Sequence, residues 1–294
     1  MTEAFRNVGL IAKAGDEQSL STLQQLMDFL QQKGLNVVLD AALSSTVATA
    51  GLQAASRHQM GECCDLVIVV GGDGSLLGAA RDLARHDVPV LGVNRGRLGF
   101  LTDIMPHDIE TGIGAILDGE FEIESRFLLN MEAMRGKAVL GTGSALNDVV
   151  LLSGDSVHMI EFELYVDGVF VYNQRSDGLI IATPTGSTAY ALSCGGPIMH
   201  PKLDAIVLVP MNPHTLTSRP LVIDANSEIK VKLLSHQVSP LVSCDGQPGV
   251  RVGEDDWVYV RKKPHRLKLL HPRGHNFYQS CRSKLGWSSR LETR

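Results

Sequence analysis

The chain has 294 residues, of which 44% are hydrophobic and 20% charged, with a net charge of −5. These proportions exclude an intrinsically disordered protein, and at about 150 residues per domain the length predicts two domains. No apolar run reaches the roughly 18 residues of a membrane span, and the first residues lack the features of a signal peptide. We therefore expect a soluble, cytoplasmic protein that binds no membrane.

The N-terminal part alternates apolar strands with helical patterns, which predicts a parallel, Rossmann-like α/β domain over residues 1–120. In chain order the predicted elements are a strand from Val8 to Lys13, a helix from Glu17 to Lys33, a strand over 35–40, a strand from Asp65 to Val70, a helix over 75–86 and a strand from Val88 to Asn94.

The motif GGDGS, Gly71 to Ser75, follows a buried strand and opens a helix, where open α/β sheets bind their ligands. Gly71, Gly72 and Gly74 allow the backbone to approach phosphate oxygens, and a helix N-terminus favours anions. Asp73 would repel phosphates unless it holds a metal ion or accepts a proton from a nucleophile. The alternative is a tight turn with Asp73 as the helix N-cap, which needs fewer glycines. The loop is neither a Walker A motif nor a GxGxxG motif.

After residue 120 the hydrophobic period changes to two, which predicts a mostly antiparallel β domain over residues 121–272. Asp167-Gly168 lies between two alternating runs and predicts a hairpin. In the block SDGLIIATPTGSTAYALSCGGPI, from Ser176 to Ile198, a buried strand meets a turn rich in hydroxyl groups and then a short helix. The hydroxyl groups of this block suit ribose, amide or phosphate groups, so we favour a binding loop over a capped helix.

The last residues combine a basic charge with two spaced histidines. Residues 261–294 sum to +9 and the remainder to −14. Without a nucleic-acid-binding motif, this segment is expected to dock on an acidic surface of its own protein or of a partner subunit, and not on nucleic acid. His271 and His275 are separated by Pro272 and Gly274, which exclude a shared helix face. We therefore predict no protein-held metal ion, and a tail over 273–294 that packs on the first domain.

In their order along the chain, these motifs resemble those of the bacterial NAD kinases, from about Val8 to Leu270. The motifs are GGDGS, NRGRLGF, NDVV, the long block above and CDGQ. GGDG alone also occurs in phosphofructokinases and in diacylglycerol and sphingosine kinases, whereas the long block makes the resemblance specific. The resemblance implies transfer of the γ-phosphoryl group of ATP to the adenosine 2′-hydroxyl of NAD, with a divalent ion such as Mg²⁺, by a homotetramer or homodimer.

The same resemblance implies the roles of individual residues. Asp73 matches the catalytic base, and Gly71, Gly72, Gly74 and Ser75 form the phosphate loop. Residues at positions that contact NAD are Asp73, Gly74, Asn147, Asp148, His158, Arg175, Asp177, Thr185, Thr188, Ala189, Tyr190, Ala191, Leu192, Ser193 and Gln247. Two other functions stay open at this point, a lipid kinase of the diacylglycerol type and a non-catalytic dinucleotide sensor. The polar long block argues against the first, and the charge of Asp73 argues against the second.

Overall fold

The computed structural model describes residues 5–13, 15–43, 52–94, 99–154, 158–235 and 238–287. The chain forms two compact units, the first comprising Met1–Ser125 with Arg266–Arg294 and the second comprising Arg126–His265. Among the helices of the described residues, none combines the length and the apolar character that crossing a bilayer requires.

The first unit is a parallel sheet with helices, as its alternating sequence pattern predicts. Its elements are β1 (Asn7–Ala12), α1 (Glu17–Gln32), β2 (Asn36–Asp40), β3 (Gln53–Ala55), α2 (Arg57–Cys63), β4 (Leu66–Val70), α3 (Asp73–Leu83), β5 (Pro89–Val93), α4 (Gly114–Leu117), the start of β6 (Phe121–Arg135), the end of β17 (Trp257–Pro272) and α6 (Phe277–Leu285). The strand order is β17-β5-β4-β1-β2-β3, and every neighbouring pair is parallel.

The core of the first unit lies between this sheet and its helices. The strand β4 is buried along its whole length, as a central parallel strand covered on both faces must be. Helix α1 contributes Leu23, Leu26 and Leu30 from one face, each fully buried. Their spacing of three and four residues is the helical period that the sequence shows.

The second unit is built from antiparallel strands. Its elements are most of β6, β7 (Ala138–Ala145), β8 (Asp148–Leu152), β9 (Ile160–Val166), β10 (Val169–Ser176), β11 (Gly178–Ala182), α5 (Tyr190–Ser193), β12 (Ala205–Met211), β13 (Leu221–Asp224), β14 (Ile229–Leu233), β15 (Leu241–Cys244), β16 (Val250–Arg251) and the first part of β17. One sheet has the order β13-β12-β11-β8-β15-β16, and the other contains β10-β9-β14-β17 with β6 and β7.

The two sheets of the second unit share one hydrophobic core. Phe162 of β9 and Ile181 of β11 belong to the same buried cluster, although they come from different sheets. The expected hairpin joins β9 to β10 through Asp167 and Gly168, whose φ angles of 51° and 79° are those of a type I′ turn. The predicted fold class, a parallel α/β part followed by an antiparallel β part, is confirmed.

The structure differs in detail from the sequence-based element assignments. Strand β3 and helix α2 were not predicted. A strand of three residues, such as β3, is too short to show a period. The chain enters the second unit after Ser125 and returns after His265, whereas the sequence pattern predicted changes at 120 and 272. Both passages lie inside single long strands, β6 and β17, and an uninterrupted alternating pattern does not show where a strand changes partners. Residues 288–294 of the predicted tail lie outside the described residues.

Candidate active site

The GGDGS loop lies at the C-terminal end of β4, in the first unit. The Gly71 N–H donates to the carbonyl of Val93 at the end of the neighbouring strand β5, at 2.9 Å. A Cβ atom added at Gly72 or Gly74 would meet no other atom within 4 Å. The backbone at these two glycines is therefore open to an approaching group, which is what a phosphate loop requires.

The carboxylate of Asp73 is held by a segment that follows β5. Its Oδ2 accepts the N–H of Phe100 at 3.1 Å, and its Oδ1 accepts the N–H of Leu101 at 3.2 Å. A Cβ atom at Gly99 would overlap Asp73 Oδ1, so only glycine allows this close approach. The alternative role of Asp73 as the helix N-cap is wrong, since the N-cap of α3 is Gly72 and the helix has no side-chain cap.

Phe100 and Leu101 contact the Asp73 carboxylate, and the sequence analysis did not assign them to the site. They act through backbone N–H groups, which every residue except proline has, so their side chains give no signal. The only indication is the NRGRLGF motif, which follows β5 as GGDGS follows β4. Within that motif, residues 95–98 lie outside the described residues, and the buried Asn94 donates its N–H to the carbonyl of Ile104 at 2.8 Å.

In the second unit, the NDVV and CDGQ motifs meet. The Asp245 carboxylate accepts three consecutive backbone N–H groups at 2.8–3.2 Å, those of Leu146, Asn147 and Asp148. Three donors on one carboxylate fix the backbone at the start of β8. Asp245 is thus a positioning residue for Asn147 and Asp148. The sequence analysis treated the CDGQ motif, which contains Asp245, as a separate turn.

Asp148 is buried, with 5% of its surface exposed, and lies close to the charge of Asp245. Burial raises the pKa of the Asp148 carboxyl to about 7, and repulsion from Asp245 adds to the effect. A carboxyl group in this environment takes up a hydrogen-bond donor or a positive charge readily, because either relieves the desolvated charge.

The long block begins on β11 and continues as a buried turn. Thr183 Oγ1 donates to the carbonyl of Leu146 at 2.5 Å and accepts the N–H of Gly186 at 3.1 Å. A Cβ atom at Gly186 would overlap the Asn147 carbonyl, so the glycine permits close packing of this turn on the NDVV segment. Ser187 is fully buried and bonds Pro184 and Met199, so its hydroxyl, which we expected to be available to a ligand, is occupied.

The other residues of the block differ in what they expose. Thr185 is buried and its Oγ1 accepts a hydrogen bond from Arg126 at 3.1 Å, an arginine that sequence reasoning missed. The side chain of Ala191 packs in the core beside Ile180 and Val209, so only its backbone can face a ligand. The residues with partly or largely exposed surfaces are Thr188, Ala189, Tyr190, Leu192 and Ser193.

Asp177 lies at the opposite end of β11 from this turn. Its Oδ2 accepts a hydrogen bond from the amide of Asn212 at 2.8 Å. Ala182, at the other end of the strand, pairs with Asp148. Along the strand, Asp177 and Ala182 are about 16 Å apart. Burial raises the pKa of the Tyr190 phenol, and the nearby Cys194, Asp148 and Asp177 raise it further. Tyr190 therefore lies within electrostatic range of both carboxylates.

The remaining predicted contact residues lie on the surface of the second unit. His158, Arg175 and Gln247 are exposed. The carbonyl of Gln247 accepts a hydrogen bond from the Ser243 hydroxyl at 2.6 Å, which closes the CDGQ turn. The structure thus leaves these three side chains accessible to a ligand.

Several of the basic C-terminal residues pair with acids of their own unit. In the second unit Lys262 pairs with Asp204, and in the first unit Lys268 pairs with Asp87. Arg273 pairs with Glu120 in the same way. Each of these three residues therefore pairs with an acid of its own unit, and the docking of the segment as a whole stays a prediction.

Known protein families match both parts of the chain. The model of the ATP-NAD kinase N-terminal domain matches residues 8–121, and that of the ATP-NAD kinase C-terminal domain matches residues 146–271. The NAD kinase of Alcanivorax borkumensis is 67% identical over 288 residues, which cover 98% of this chain and 96% of that protein. The NAD kinase of Pseudomonas putida is 58% identical over 290 residues, which cover 98% of each chain.

Two solved structures are similar in fold. The crystal structure of yeast NADH kinase complexed with NADH has a TM-score of 0.90 at 23% identity and covers 100% of this chain and 91% of its own. The crystal structure of an NAD kinase from Archaeoglobus fulgidus in complex with ATP has a TM-score of 0.71 at 25% identity, covering 96% and 100%. At such low identity, the first of these likenesses shows the fold alone.

Proposed function

The chain belongs to the ATP-NAD kinase family, and we propose that it transfers the γ-phosphoryl group of ATP to the adenosine 2′-hydroxyl of NAD, giving NADP. The proposal depends on the placement of the Asp73 carboxylate, which two backbone N–H groups fix beside an open glycine loop. A carboxylate at a phosphate loop is unfavourable for binding alone, so its presence supports a chemical role.

We propose that Asp73 accepts the proton of the attacking hydroxyl. Phosphoryl transfer passes through a loose transition state, in which the protein chiefly positions the groups and neutralises charge. The N–H groups of Phe100 and Leu101 hold the carboxylate in one orientation, and Oδ2, which accepts only the Phe100 N–H, keeps a lone pair for the incoming proton. The phosphate loop of Gly71, Gly72, Gly74 and Ser75 would take the phosphates.

We further propose that the NAD-contacting residues named from the resemblance bind the dinucleotide. The arrangement in the second unit supports this for Asn147 and Asp148, whose backbone Asp245 fixes. It also supports Tyr190, an exposed ring within electrostatic range of Asp148 and Asp177 and a suitable surface for a base. Asp177 is proposed for the nicotinamide end, and the exposed His158, Arg175 and Gln247 for further contacts.

The divalent ion of the reaction is proposed to arrive with ATP. In the described part of the chain, the two groups of histidines and carboxylates that could hold an ion both exclude Asp73. Mg²⁺ favours oxygen ligands and retains several waters, and it is usually bound through substrate phosphates. We therefore treat it as part of the MgATP substrate.

We also propose a homo-oligomer, a tetramer or dimer, acting in the cytoplasm, where ATP and NAD are both available. Exposed apolar side chains on the edge strand β10 support an assembly, since Val169 and Phe170 are 67% and 52% exposed. The exposed basic residues of α6, Arg282 and Lys284, are candidates for holding it together by charge. Sedimentation of the chain with both residues changed to glutamate tests this role, and cell fractionation tests the location.

The activity itself is tested with the purified full chain, MgATP and NAD, and NADP is detected with an NADP-specific dehydrogenase. NADP formation that requires ATP supports the proposal. The same assay distinguishes the two competing functions, a lipid kinase and a dinucleotide sensor. Phosphorylation of diacylglycerol in vesicles without NADP formation would indicate a lipid kinase. Saturable NAD binding without any phosphoryl transfer would indicate a dinucleotide sensor.

A further inference from the structure

The turn after β17 places two histidine rings face to face, in the first unit. His271 is the residue before Pro272, the last residue of β17. The chain then turns through Gly274, whose φ is +83°, so that the His275 N–H donates to the carbonyl of Pro272 at 3.2 Å. The two imidazole rings stack with centroids 3.9 Å apart and an angle of 19° between their planes. The sequence excluded a shared helix face for this pair, but a tight turn brings the rings together without a helix.

Both rings direct Nδ1 at the carboxylate of Asp103. His275 Nδ1 lies 3.1 Å from Oδ1, and His271 Nδ1 makes a close contact with Oδ2. One potential ligand atom from each of the three residues lies within 4.8 Å of the others. Nitrogen and oxygen ligands at about 2.0–2.2 Å from one ion are themselves roughly 3 Å apart. The three side chains therefore already have nearly the spacing of a coordination sphere.

A second carboxylate lies on the other side of the buried histidine. His271 is fully buried, and its Nε2 lies 3.4 Å from Glu124 Oε2. Metal-binding histidines regularly direct their second ring nitrogen to a carboxylate, which fixes the tautomer and strengthens the ligand. In the tautomer that carries the proton on Nε2, on the side of Glu124, the Nδ1 lone pair of His271 faces Asp103 and His275.

An ion also has a route into this cluster. A cavity of about 240 Å³ is lined by Asp103 and His275 together with polar residues of the following turn and of α6, including Asn276, Gln279 and Ser280. Such a cavity admits water, which can complete the coordination of an ion that has three protein ligands.

We propose that Asp103, His271 and His275 bind one divalent transition-metal ion, with Zn²⁺ as the best fit. Two imidazoles and one carboxylate match zinc, whereas Mg²⁺ and Ca²⁺ favour oxygen-only sites. The other histidine cluster, His58 and His86 with Glu62, is weaker because His58 and Glu62 are exposed.

The position of the ion gives it a structural role near Asp73. Asp103 directly follows Phe100, Leu101 and Thr102, the segment that holds the Asp73 carboxylate. An ion on Asp103 ties this segment to the turn after β17. The metal site stands apart from the proposed kinase activity, because its ligands are not the residues proposed to bind NAD or ATP.

The experiment measures zinc binding, not turnover. The full chain is stripped with a chelator and titrated with Zn²⁺ in competition with a chromophoric zinc chelator, and far-UV circular dichroism verifies folding. The test variants are His275→Ala and Asp103→Asn, and His86→Ala is the matched control in the other cluster. If His275→Ala fails to fold, His275→Phe keeps the ring stack and removes the ligand.

We expect the wild-type chain to bind zinc and both test variants to lose at least about tenfold in affinity for this site, with no change in His86→Ala. Zinc should also raise the melting temperature of the wild type and not that of the test variants. Cobalt should give visible d–d absorption that both test variants lack. Absence of zinc binding by the wild type, or binding that only His86→Ala weakens, would overturn the proposal. Zinc affinity unchanged by both test variants would overturn it equally.

Discussion

Replacing Asp73 with asparagine removes a negative charge and the capacity to accept a proton, while it preserves the size of the side chain. In the structure, one carboxylate oxygen accepts the N–H of Phe100 and the other that of Leu101. An asparagine side chain supplies one oxygen and one NH₂ group. One of the two backbone N–H groups would therefore face another donor.

This geometry predicts two separate effects. The lost charge-assisted hydrogen bond should lower the free energy of unfolding by about 1–3 kcal/mol, toward the lower end because the site is partly solvated. The lost base should lower turnover by about 10²–10⁴-fold, the usual contribution of general base catalysis. The Michaelis constant for NAD should change little, since Asp73 is proposed to act on the transferring proton.

The assay is the steady-state formation of NADP below the melting temperature of the variant, with the folded fraction measured by circular dichroism. Asp65→Asn is the control, because the Asp65 carboxylate also accepts two backbone N–H groups, those of Arg6 and Asn7, although both bond Oδ2. Asp65 precedes β4, whereas Asp73 follows it, so the control changes a similar carboxylate at the opposite end of the same strand.

We expect Asp65→Asn to lose less stability than Asp73→Asn, because its single amide oxygen can accept both N–H groups, and to leave turnover near that of the wild type. Near-normal turnover in folded Asp73→Asn would refute the assignment of Asp73 as the base. The base would then have to be Asp148 or Asp245. An equal loss of turnover in both variants would mean that stability, not chemistry, explains the effect.

Three further predictions concern single residues. Gly99→Ala should lower turnover by about 10²-fold without removing any reactive group, because its Cβ would displace the Asp73 carboxylate; wild-type kinetics in this variant would contradict that packing. Asp148→Asn should gain stability relative to the wild type as the pH rises from about 4 to about 7. The Asp148 carboxyl titrates near 7 in the folded protein and near 3.8 in the unfolded one, so the wild type loses stability over this range. Thermal melts of both proteins across that range measure the difference, and a constant difference would exclude the raised pKa. Asp177→Asn should raise the Michaelis constant for NAD by roughly ten- to a hundredfold with a smaller effect on turnover, as the loss of one charged hydrogen bond predicts; collapsed turnover with an unchanged Michaelis constant would move Asp177 to the chemistry.

The sequence by itself determined the fold class and the positions of the main motifs. Apolar runs with helical and alternating periods predict the strands and helices of both units, because side-chain burial follows the geometry of the backbone. The GGDGS motif predicted a glycine-rich turn between a buried strand and a helix, and the structure has that turn between β4 and α3. Such features depend on residues that are neighbours in the chain.

Only the tertiary structure decided which groups meet. The N–H groups that hold Asp73 come from residues 27 and 28 positions away, and Asp245 reaches Asn147 across 98 positions. His271 and His275 meet Asp103, which precedes them by more than 160 residues. Backbone donors have no residue identity and distant partners share no sequence period, so such contacts arise from the packing of strands and turns and leave no local pattern in the sequence.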